Sequence, residues 1–325
     1  MNTTTMPELT EAQFDQMRSV FFSYATKRQK KVEKEDIGFV HYTSAEVAVQ
    51  IIKNREIWMR NVQTVNDYRE VDHGYDCLNA ALKSPHGETF KNALNAAFPE
   101  MYEKLMGTFR AWFPGMRHDT YITCVSEHLN SENKFGRLSM WRAYGNGTGV
   151  AIVLNNKPFF ATSELNAFAS PVKYANRDEF AVEFEETTKL LADNTAFLKA
   201  IGPEWTANTA FNMLRFAVLC TKHPGFEEEK EWRVIYSPAL NPSHIIKSNV
   251  ETVQGTPQRV CKIPLRDNPK YGFVGVELKD FLKLVIVGPT KFPNAMYPAF
   301  ATILAEADVP NPIERIAVSD IPLRV

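Results

Sequence analysis

The chain of 325 residues has few cysteines, no long apolar run and almost no net charge. Its four cysteines, Cys77, Cys124, Cys220 and Cys261, are far apart, with no C-x-x-C pair and no histidine at zinc-finger spacing. We therefore expect buried thiols and a reducing cytoplasmic location. No apolar run reaches the length that a bilayer requires, and the polar N-terminus lacks the apolar segment of a signal peptide. The sequence predicts no association with a membrane.

A net charge of −1 leaves no overall electrostatic attraction for nucleic acid or anionic lipid. The local exception is the basic run KRQKKVEK, from Lys27 to Lys34. A solvated helix end is the favoured interpretation of this run, and a nucleic-acid patch is the alternative.

Helical and alternating patterns follow one another along the chain, with no linker rich in Pro, Gly or Ser and no repeat. The 44% of apolar residues can fill a sizeable core. Helical spacing predicts helices from about Glu11 to Glu33, from Phe180 to Ile201 and from Ala207 to Thr221. We predict a single α+β domain over residues 1–325, with a bent, partly split mixed sheet and a helical insertion at about 74–117.

The stretch from Phe39 to His73 combines several elements in a short run. FVHY has the composition of a strand, and Ser44 is a good N-cap for a helix whose apolar stripe is Val47, Ile51 and Ile52. EIWMRN is the next candidate strand. His41, Tyr42 and Thr43 lie where the first strand meets the helix N-terminus, a place suited to holding an anion or a ribose.

The segment EEEKEWRVIY contains two acidic residues at alternate positions. If the whole segment is a strand, Glu229, Glu231 and Arg233 point to one side, while Trp232 and Val234 point to the other. A charged, exposed strand face is one interpretation. A pair of functional carboxylates is the other.

The segment WRAYG reads as a helical turn that presents Trp141, Arg142 and Tyr144. Such a turn can hold an aromatic ring and a pyrophosphate. Core packing of Trp141 and Tyr144 is the alternative. The glycines from Gly145 to Gly149 lack the Lys-Ser/Thr ending of a P-loop and precede a strand, so they predict a tight turn.

The polar segment VNDYRE has two interpretations. Asn66 and Asp67 can cap a helix with Glu70 as the partner three residues on, an arrangement worth about 1 kcal/mol. The rival is a divalent-metal site of Asp67, Glu70 and either Asp72 or His73, as in a nuclease or phosphoesterase. The sequence has no H-E-x-x-H motif and no second acidic cluster to support the rival.

Four motifs, HYTS, VNDYRE, MWRAYG and EKEWR, resemble those of a bacterial protein family of unknown function. The resemblance extends roughly from Gly38 to Gly288. That family in turn resembles mono-ADP-ribosyltransferases, in particular toxins that modify DNA and open with a similar His-x-Thr strand. The resemblance implies a split-sheet fold of the ADP-ribosyltransferase type.

By this resemblance the substrate is NAD and no metal is required. Glu231 matches the essential second glutamate of a Glu-x-Glu signature, and Glu229 matches the residue that faces the acceptor. Cleavage of the nicotinamide bond passes through an oxocarbenium-like ribose, which a fixed carboxylate stabilises. The expected NAD-binding residues are His41, Tyr42, Thr43, Trp141, Arg142 and Tyr144. Among them His41 matches the residue that holds the adenosine ribose, and Thr43 matches a nearby residue that assists it. VNDYRE has no counterpart in the best-known toxin motifs.

The leading hypothesis is therefore NAD-dependent transfer of ADP-ribose to a macromolecule, either nucleic acid or protein, in a toxin or phage-defence setting. That setting implies an antitoxin or regulatory partner. A non-catalytic module that senses a nucleotide or partner is the second hypothesis, and a metal-dependent nuclease is the third.

Overall fold

The computed structural model of the protein describes residues 8–64, 70–145 and 147–322. The chain is α+β with a mixed sheet, as predicted. It forms two compact units that are interleaved in sequence. The first comprises residues 1–30, 63–118 and 171–227, and the second comprises residues 31–62, 119–170 and 228–325. No helix in the described part of the chain is long and apolar enough to cross a membrane.

The elements are numbered in chain order. The helices are α1 (Glu11–Phe21), α2 (Ser23–Lys34), α3 (Ala45–Asn54), α4 (Glu70–Lys83), α5 (Pro85–Ala97), α6 (Met101–Met116), α7 (Leu138–Met140), α8 (Lys157–Phe160), α9 (Arg177–Asp193), α10 (Thr195–Ile201), α11 (Pro203–Leu219), α12 (Leu278–Phe281) and α13 (Pro293–Glu306). The strands are β1 (Gly38–Ser44), β2 (Glu56–Asn61), β3 (Tyr121–His128), β4 (Gly149–Leu154), β5 (Phe168–Pro171), β6 (Lys173–Tyr174), β7 (Thr221–Lys222), β8 (Glu231–Tyr236), β9 (Lys247–Val253), β10 (Thr256–Pro264), β11 (Leu282–Val287) and β12 (Ile316–Val318).

The first unit is helical apart from the short parallel pair β6–β7. The predicted helical segment at 74–117 corresponds to α4, α5 and α6, and α9 to α11 belong to the same unit. Helix α5 begins at Pro85, where the missing N–H costs nothing, and Ser84 caps it by accepting a hydrogen bond from the His86 N–H. Phe90 and Leu94, one turn apart, are fully buried.

Two predicted helices are each divided in the structure. Thr10 and Gln13 form a capping box at the start of α1, but this helix ends at Phe21 because Phe22 leaves helical geometry (φ −128°, ψ 46°). The helix predicted over 180–201 likewise ends before Asn194, and α10 follows as a separate helix. Each break lies between two segments of helical spacing, so periodicity alone does not reveal it.

The second unit contains the large sheet, with strand order β12-β11-β4-β1-β3-β2-β10-β9. Strand β8 pairs with β3 on one side and with β5 on the other. Within this large sheet, all pairs with a described register are antiparallel except β11–β12. Strand β9 was not predicted, because its sequence KSNVETV is polar and it lies at the edge of the sheet.

The sheet divides at β3, and we call this division the fork. One edge of β3 pairs with β8 over residues 121–126. The other edge is shared, because β1 pairs with residues 126–128 and β2 with residues 121–122. Between them, at residues 123–125, the ladder on that edge is interrupted and β1 and β2 separate. The fork therefore joins two arms, β1-β4-β11-β12 and β2-β10-β9, through β3.

Helix α3 connects β1 to β2 and covers one face of the first arm. Ser44 caps it as predicted, accepting a hydrogen bond from the Val47 N–H. Ile51 and Ile52 are buried as expected, but Val47 is 44% exposed and Ala48 takes its place in the core. The buried stripe is thus rotated by one residue from the predicted one.

Candidate functional site

Glu231 and Arg233 form a buried ion pair at the start of β8. The Arg233 Nε donates to Glu231 Oε1 at 2.8 Å, and Nη2 donates to Oε2 at 3.3 Å. The two residues are only 6% and 3% exposed. The interpretation of this strand face as a charged, exposed surface is therefore wrong, since every residue of β8 is buried. The bidentate bond fixes the plane of the carboxylate.

Glu229 does not share the strand with Glu231. It ends a 3-10 turn at Pro224–Glu229, and Lys230 follows in a left-handed conformation with φ 45°. The predicted alternation of Glu229 with Glu231 is therefore wrong, because the strand begins only at Glu231. Glu229 is half-buried, and its carbonyl accepts a hydrogen bond from Arg137 Nη1 at 3.1 Å.

His41 lies at the fork, on β1. Its Nδ1 donates to the Cys124 carbonyl at 2.9 Å, within the interrupted part of β3. Burial lowers the pKa of His41, and the bond to Cys124 opposes that effect. The ring is therefore neutral at pH 7, and its Nε2 is a hydrogen-bond acceptor with no partner among the described residues. Such an atom can accept a hydrogen bond from a ligand hydroxyl.

The register separates the predicted site residues between two faces. Val40 lies opposite Ser126, and Ser126 lies opposite Glu231. Directly opposed residues share a face and neighbours along a strand alternate, so Tyr42 shares the face of Glu231. His41 and Thr43 point to the other face. We call the face that contains Glu231 and Tyr42 the fork face.

Tyr42 and Trp141 pack against each other on the fork face. Their ring centroids are 4.9 Å apart in an edge-to-face arrangement, and both residues are buried. The Tyr42 hydroxyl accepts a hydrogen bond from the Arg137 N–H at 2.9 Å. Burial raises the pKa of Tyr42 to about 12, although the Arg137 charge acts in the opposite direction. Both rings belong to a core cluster, which agrees with the packing alternative for Trp141.

Glycines pack closely against the Trp141 ring, so its faces are covered by protein. A Cβ on Gly136 would lie 2.5 Å from the ring, and one on Gly288 would lie 2.8 Å from it. The indole N–H donates to the Phe135 carbonyl at 2.8 Å. Gly149 also approaches the ring, so the glycine run after the WRAYG segment serves this packing.

The segment WRAYG forms a π-helical turn, Trp141–Gly145. Arg142 is exposed, and Tyr144 is half-buried against the same core cluster as Trp141. Insertions of this kind often occur at functional sites. Of the predicted NAD-binding residues, His41, Thr43, Arg142 and Tyr144 remain at least partly accessible.

Arg137 organises the loop beside the site and was not predicted. Its guanidinium bonds the Glu132 carboxylate at 3.0 Å and the Glu127 carbonyl at 2.8 Å. It also reaches the carbonyls of Glu228 and Glu229, just before β8. One side chain thus connects the end of β3, the loop after it and the turn that leads to Glu231. A lone arginine among polar residues gives no sequence signal of such a role.

The second arm adds three residues to the fork face. Arg60 lies opposite Ile122, and Lys262 lies opposite Trp58, so all of them share the face of Arg233. Trp58 and Arg60 are half-buried, and burial lowers the pKa of Arg60. The Lys262 Nζ lies 4.9 Å from the Trp58 ring centroid. The segment EIWMRN, which contains Trp58 and Arg60, was predicted only to form a strand.

Of VNDYRE, the structure describes only Glu70. Glu70, Asp72 and His73 belong to the first unit, and each contacts a different partner. Asn66 and Asp67 lie outside the described residues. Glu70 pairs with Lys222 at 2.8 Å, and both side chains are nearly buried. Asp72 pairs with Arg117, and the His73 Nε2 donates to the Ala175 carbonyl at 2.9 Å. These side chains are directed to different partners, and the described residues contain no group of three potential metal ligands.

Residues 140–234 match a family model described as a protein of unknown function (DUF2971). This segment begins at Met140, just before the π-helical turn, ends at Val234 on β8 and includes Glu231. The predicted resemblance to a family of unknown function is confirmed for that segment, which is less than half of the chain. No curated protein and no solved structure matches the chain.

Proposed function

We propose that the protein cleaves the nicotinamide bond of NAD and transfers ADP-ribose to a macromolecule, with Glu231 as the catalytic carboxylate. The observation that supports this most is the buried Glu231 carboxylate, held at two oxygens by Arg233 on the fork face. A carboxylate in a fixed plane and out of water is suited to stabilise positive charge on a ribose.

In the proposed step the bond between ribose C1′ and the nicotinamide nitrogen breaks. Nicotinamide leaves with the electron pair as a neutral molecule, and an oxygen or nitrogen of the acceptor bonds to C1′ and loses its proton. Glu231 faces the developing charge on the ribose. Arg233 orients the carboxylate through two charge-assisted hydrogen bonds. No metal takes part in the proposed step.

The fork supports the proposal because it opens the sheet next to Glu231. His41 lies at this opening on the opposite face from Glu231, and its neutral ring has an Nε2 that can accept a hydrogen bond from a hydroxyl of the adenosine ribose. Trp58 and Tyr144 are the half-buried aromatic residues on or beside the fork face, so we assign contacts with the bases to them in place of the enclosed Trp141. Arg60 is a half-buried guanidinium on the fork face, and we assign the contact with the pyrophosphate to it.

A second candidate function is nucleotide binding without turnover. Two observations favour it. The Glu231 charge is balanced by Arg233, as in a structural ion pair, and the register directs His41 away from the face of Glu231. In this case the fork would hold a nucleotide as a signal, and Glu231 would serve only the stability of β8.

Release of nicotinamide from NAD distinguishes the two functions. The proposed transferase releases nicotinamide, and Glu231→Gln lowers the rate by about 10² to 10⁴ because the transition state loses its carboxylate. Glu127→Gln is the matched control, since Glu127 is also buried but points to the other face and accepts a hydrogen bond from the Trp232 indole. Binding of NAD by wild type without nicotinamide release would reject the transferase in favour of the second candidate.

A further inference from the structure

Helix α2 carries four exposed lysines on one face. Lys27, Lys30, Lys31 and Lys34 have the spacing i, i+3, i+4 and i+7. At 3.6 residues per turn these positions fall within a stripe about 100° wide, and a rise of 1.5 Å per residue makes the stripe about 10 Å long. We call this feature the lysine stripe. The lysine stripe is formed by the basic segment Lys27 to Lys34, which the structure places in a helix.

The lysine stripe is only slightly neutralised by nearby carboxylates. Lys30, Lys31 and Lys34 have no ion-pair partner among the described residues. Lys27 lies 3.7 Å from the Glu186 carboxylate, but the two side chains are 75% and 59% exposed, so water weakens that pair. Glu33, on the same helix, lies about 110° away from the centre of the stripe.

Local helix energetics do not account for the stripe. Lys31 and Lys34 are in the last turn, where positive charge complements the helix dipole. Lys27 and Lys30 are earlier in the helix, and like charges three or four residues apart repel one another by a few tenths of a kcal/mol. The stripe therefore has a small cost in the free protein, which a polyanionic partner would remove.

We propose that the lysine stripe binds the phosphate backbone of duplex DNA. A straight row of ammonium groups on a rigid helix matches a row of phosphates, and lysine binds phosphate as a point charge. Proteins that bind single strands also present exposed aromatic rings for stacking, and the stripe has none. This inference does not depend on NAD turnover, although a DNA acceptor would agree with it.

The test compares two triple variants in a binding assay with a fluorescent DNA duplex. Lys30→Gln/Lys31→Gln/Lys34→Gln removes three charges from the stripe. The control, with substitutions at Lys199, Lys279 and Lys291 to Gln, removes three exposed charges elsewhere and gives the same net charge. Glutamine is a good helix former, so α2 should keep its helicity, which circular dichroism can check.

For the wild-type protein, a plot of log K for duplex binding against log salt concentration should have a slope of about −3 to −4. Each neutralised phosphate contributes about −0.9 to this slope. The stripe variant should bind at least tenfold more weakly at about 50 mM salt, with a slope reduced by about 2.5 to 3. The control variant should match wild type in both quantities.

Three results would overturn the proposal. One is the absence of duplex binding by the folded wild type. Another is an equal loss in both triple variants, which would show a general effect of net charge. The third is tighter binding of single-stranded DNA, RNA or polyglutamate than of the duplex, which would assign the stripe to another partner. None of these measurements involves NAD, so they are independent of the proposed transferase.

Discussion

Replacing Glu231 with glutamine should weaken the fold as well as the proposed chemistry. Removal of one partner from a buried ion pair typically costs about 3–5 kcal/mol, because the other charge stays buried. Both side chains here are almost inaccessible, at 7% and 4%, so solvent screening does not reduce the effect greatly. The glutamine oxygen still accepts one bond from Arg233, so we expect a loss of about 3 kcal/mol in the free energy of unfolding.

A double-mutant cycle isolates the contribution of the pair. Arg233→Met keeps the apolar stem of the side chain and removes the charge, leaving Glu231 buried without its guanidinium. The double variant Glu231→Gln/Arg233→Met should be less destabilised than the sum of the single variants, with a coupling of about 1–3 kcal/mol. Urea unfolding followed by far-ultraviolet circular dichroism measures each value, and an unchanged m-value shows that the unfolded state is comparable.

The solvent-exposed pair of Glu185 and Lys189 provides the comparison. Glu185→Gln should leave the urea midpoint close to that of wild type, since water already solvates both charges. If Glu231→Gln shifts the midpoint no more than Glu185→Gln does, or if the cycle shows no coupling, the buried pair does not contribute to stability and the reasoning fails. Nicotinamide release must be compared at a temperature where both proteins remain folded.

Three other predictions follow from the same structure. Gly136→Ala should lower the melting temperature strongly, because Gly136 has a φ of +67° and a Cβ there would lie 2.5 Å from the Trp141 ring. Gly107→Ala should raise the melting temperature slightly, because Gly107 lies within helix α6 with open space around it. The pKa values of His41 and His128 are lowered mainly by burial, so the folded state binds fewer protons than the unfolded state near neutral pH. The free energy of unfolding should therefore fall as the pH drops below about 6.5. Replacing either histidine by glutamine should flatten this pH dependence, which urea midpoints measured across the range can check. Nicotinamide release should be equal with and without a chelator, whereas chelator-sensitive cutting of nucleic acid without NAD turnover would support the nuclease hypothesis.

The strands of the large sheet that have apolar or alternating sequences could be predicted. FVHY and EIWMRN both form strands near the expected bounds, in β1 and β2. Their β-branched and aromatic residues are local signals of a half-buried or buried pleat. Strand β9 could not be found in this way, because it lies at the edge of the sheet, pairs with β10 and has a polar sequence without these signals.

The candidate site could be predicted in part. Glu231 could be singled out from the sequence because EKEWR resembles a Glu-x-Glu signature, but its bond to Arg233 depends on the local geometry of β8. Glu229 was placed on the strand by simple alternation, which failed because Lys230 adopts a left-handed conformation. Arg137 was missed, since its partners come from three separate segments and no local pattern encodes them.

Sequence periodicity also could not show which side of the sheet each residue of β1 would take. Tyr42 and His41 are neighbours in the chain and were expected in one pocket. The register of β1 with β3, together with that of β3 with β8, places Tyr42 on the face of Glu231 and His41 on the opposite face. Register depends on strands far apart in sequence, so it is fixed only when the whole sheet has formed.

The order in which the strands are synthesised has a consequence for how the protein reaches its fold. Strands β1 and β2 leave the ribosome early, but Met59 of β2 pairs with Cys261 of β10, and His41 of β1 pairs with Ile152 of β4. The second arm thus cannot close until most of the chain has been made. During that interval the edge of β2 has no β10 to cover it, and exposed strand edges favour aggregation. We expect recovery of soluble protein to depend on slow translation or on chaperones more than a sheet of sequential hairpins would.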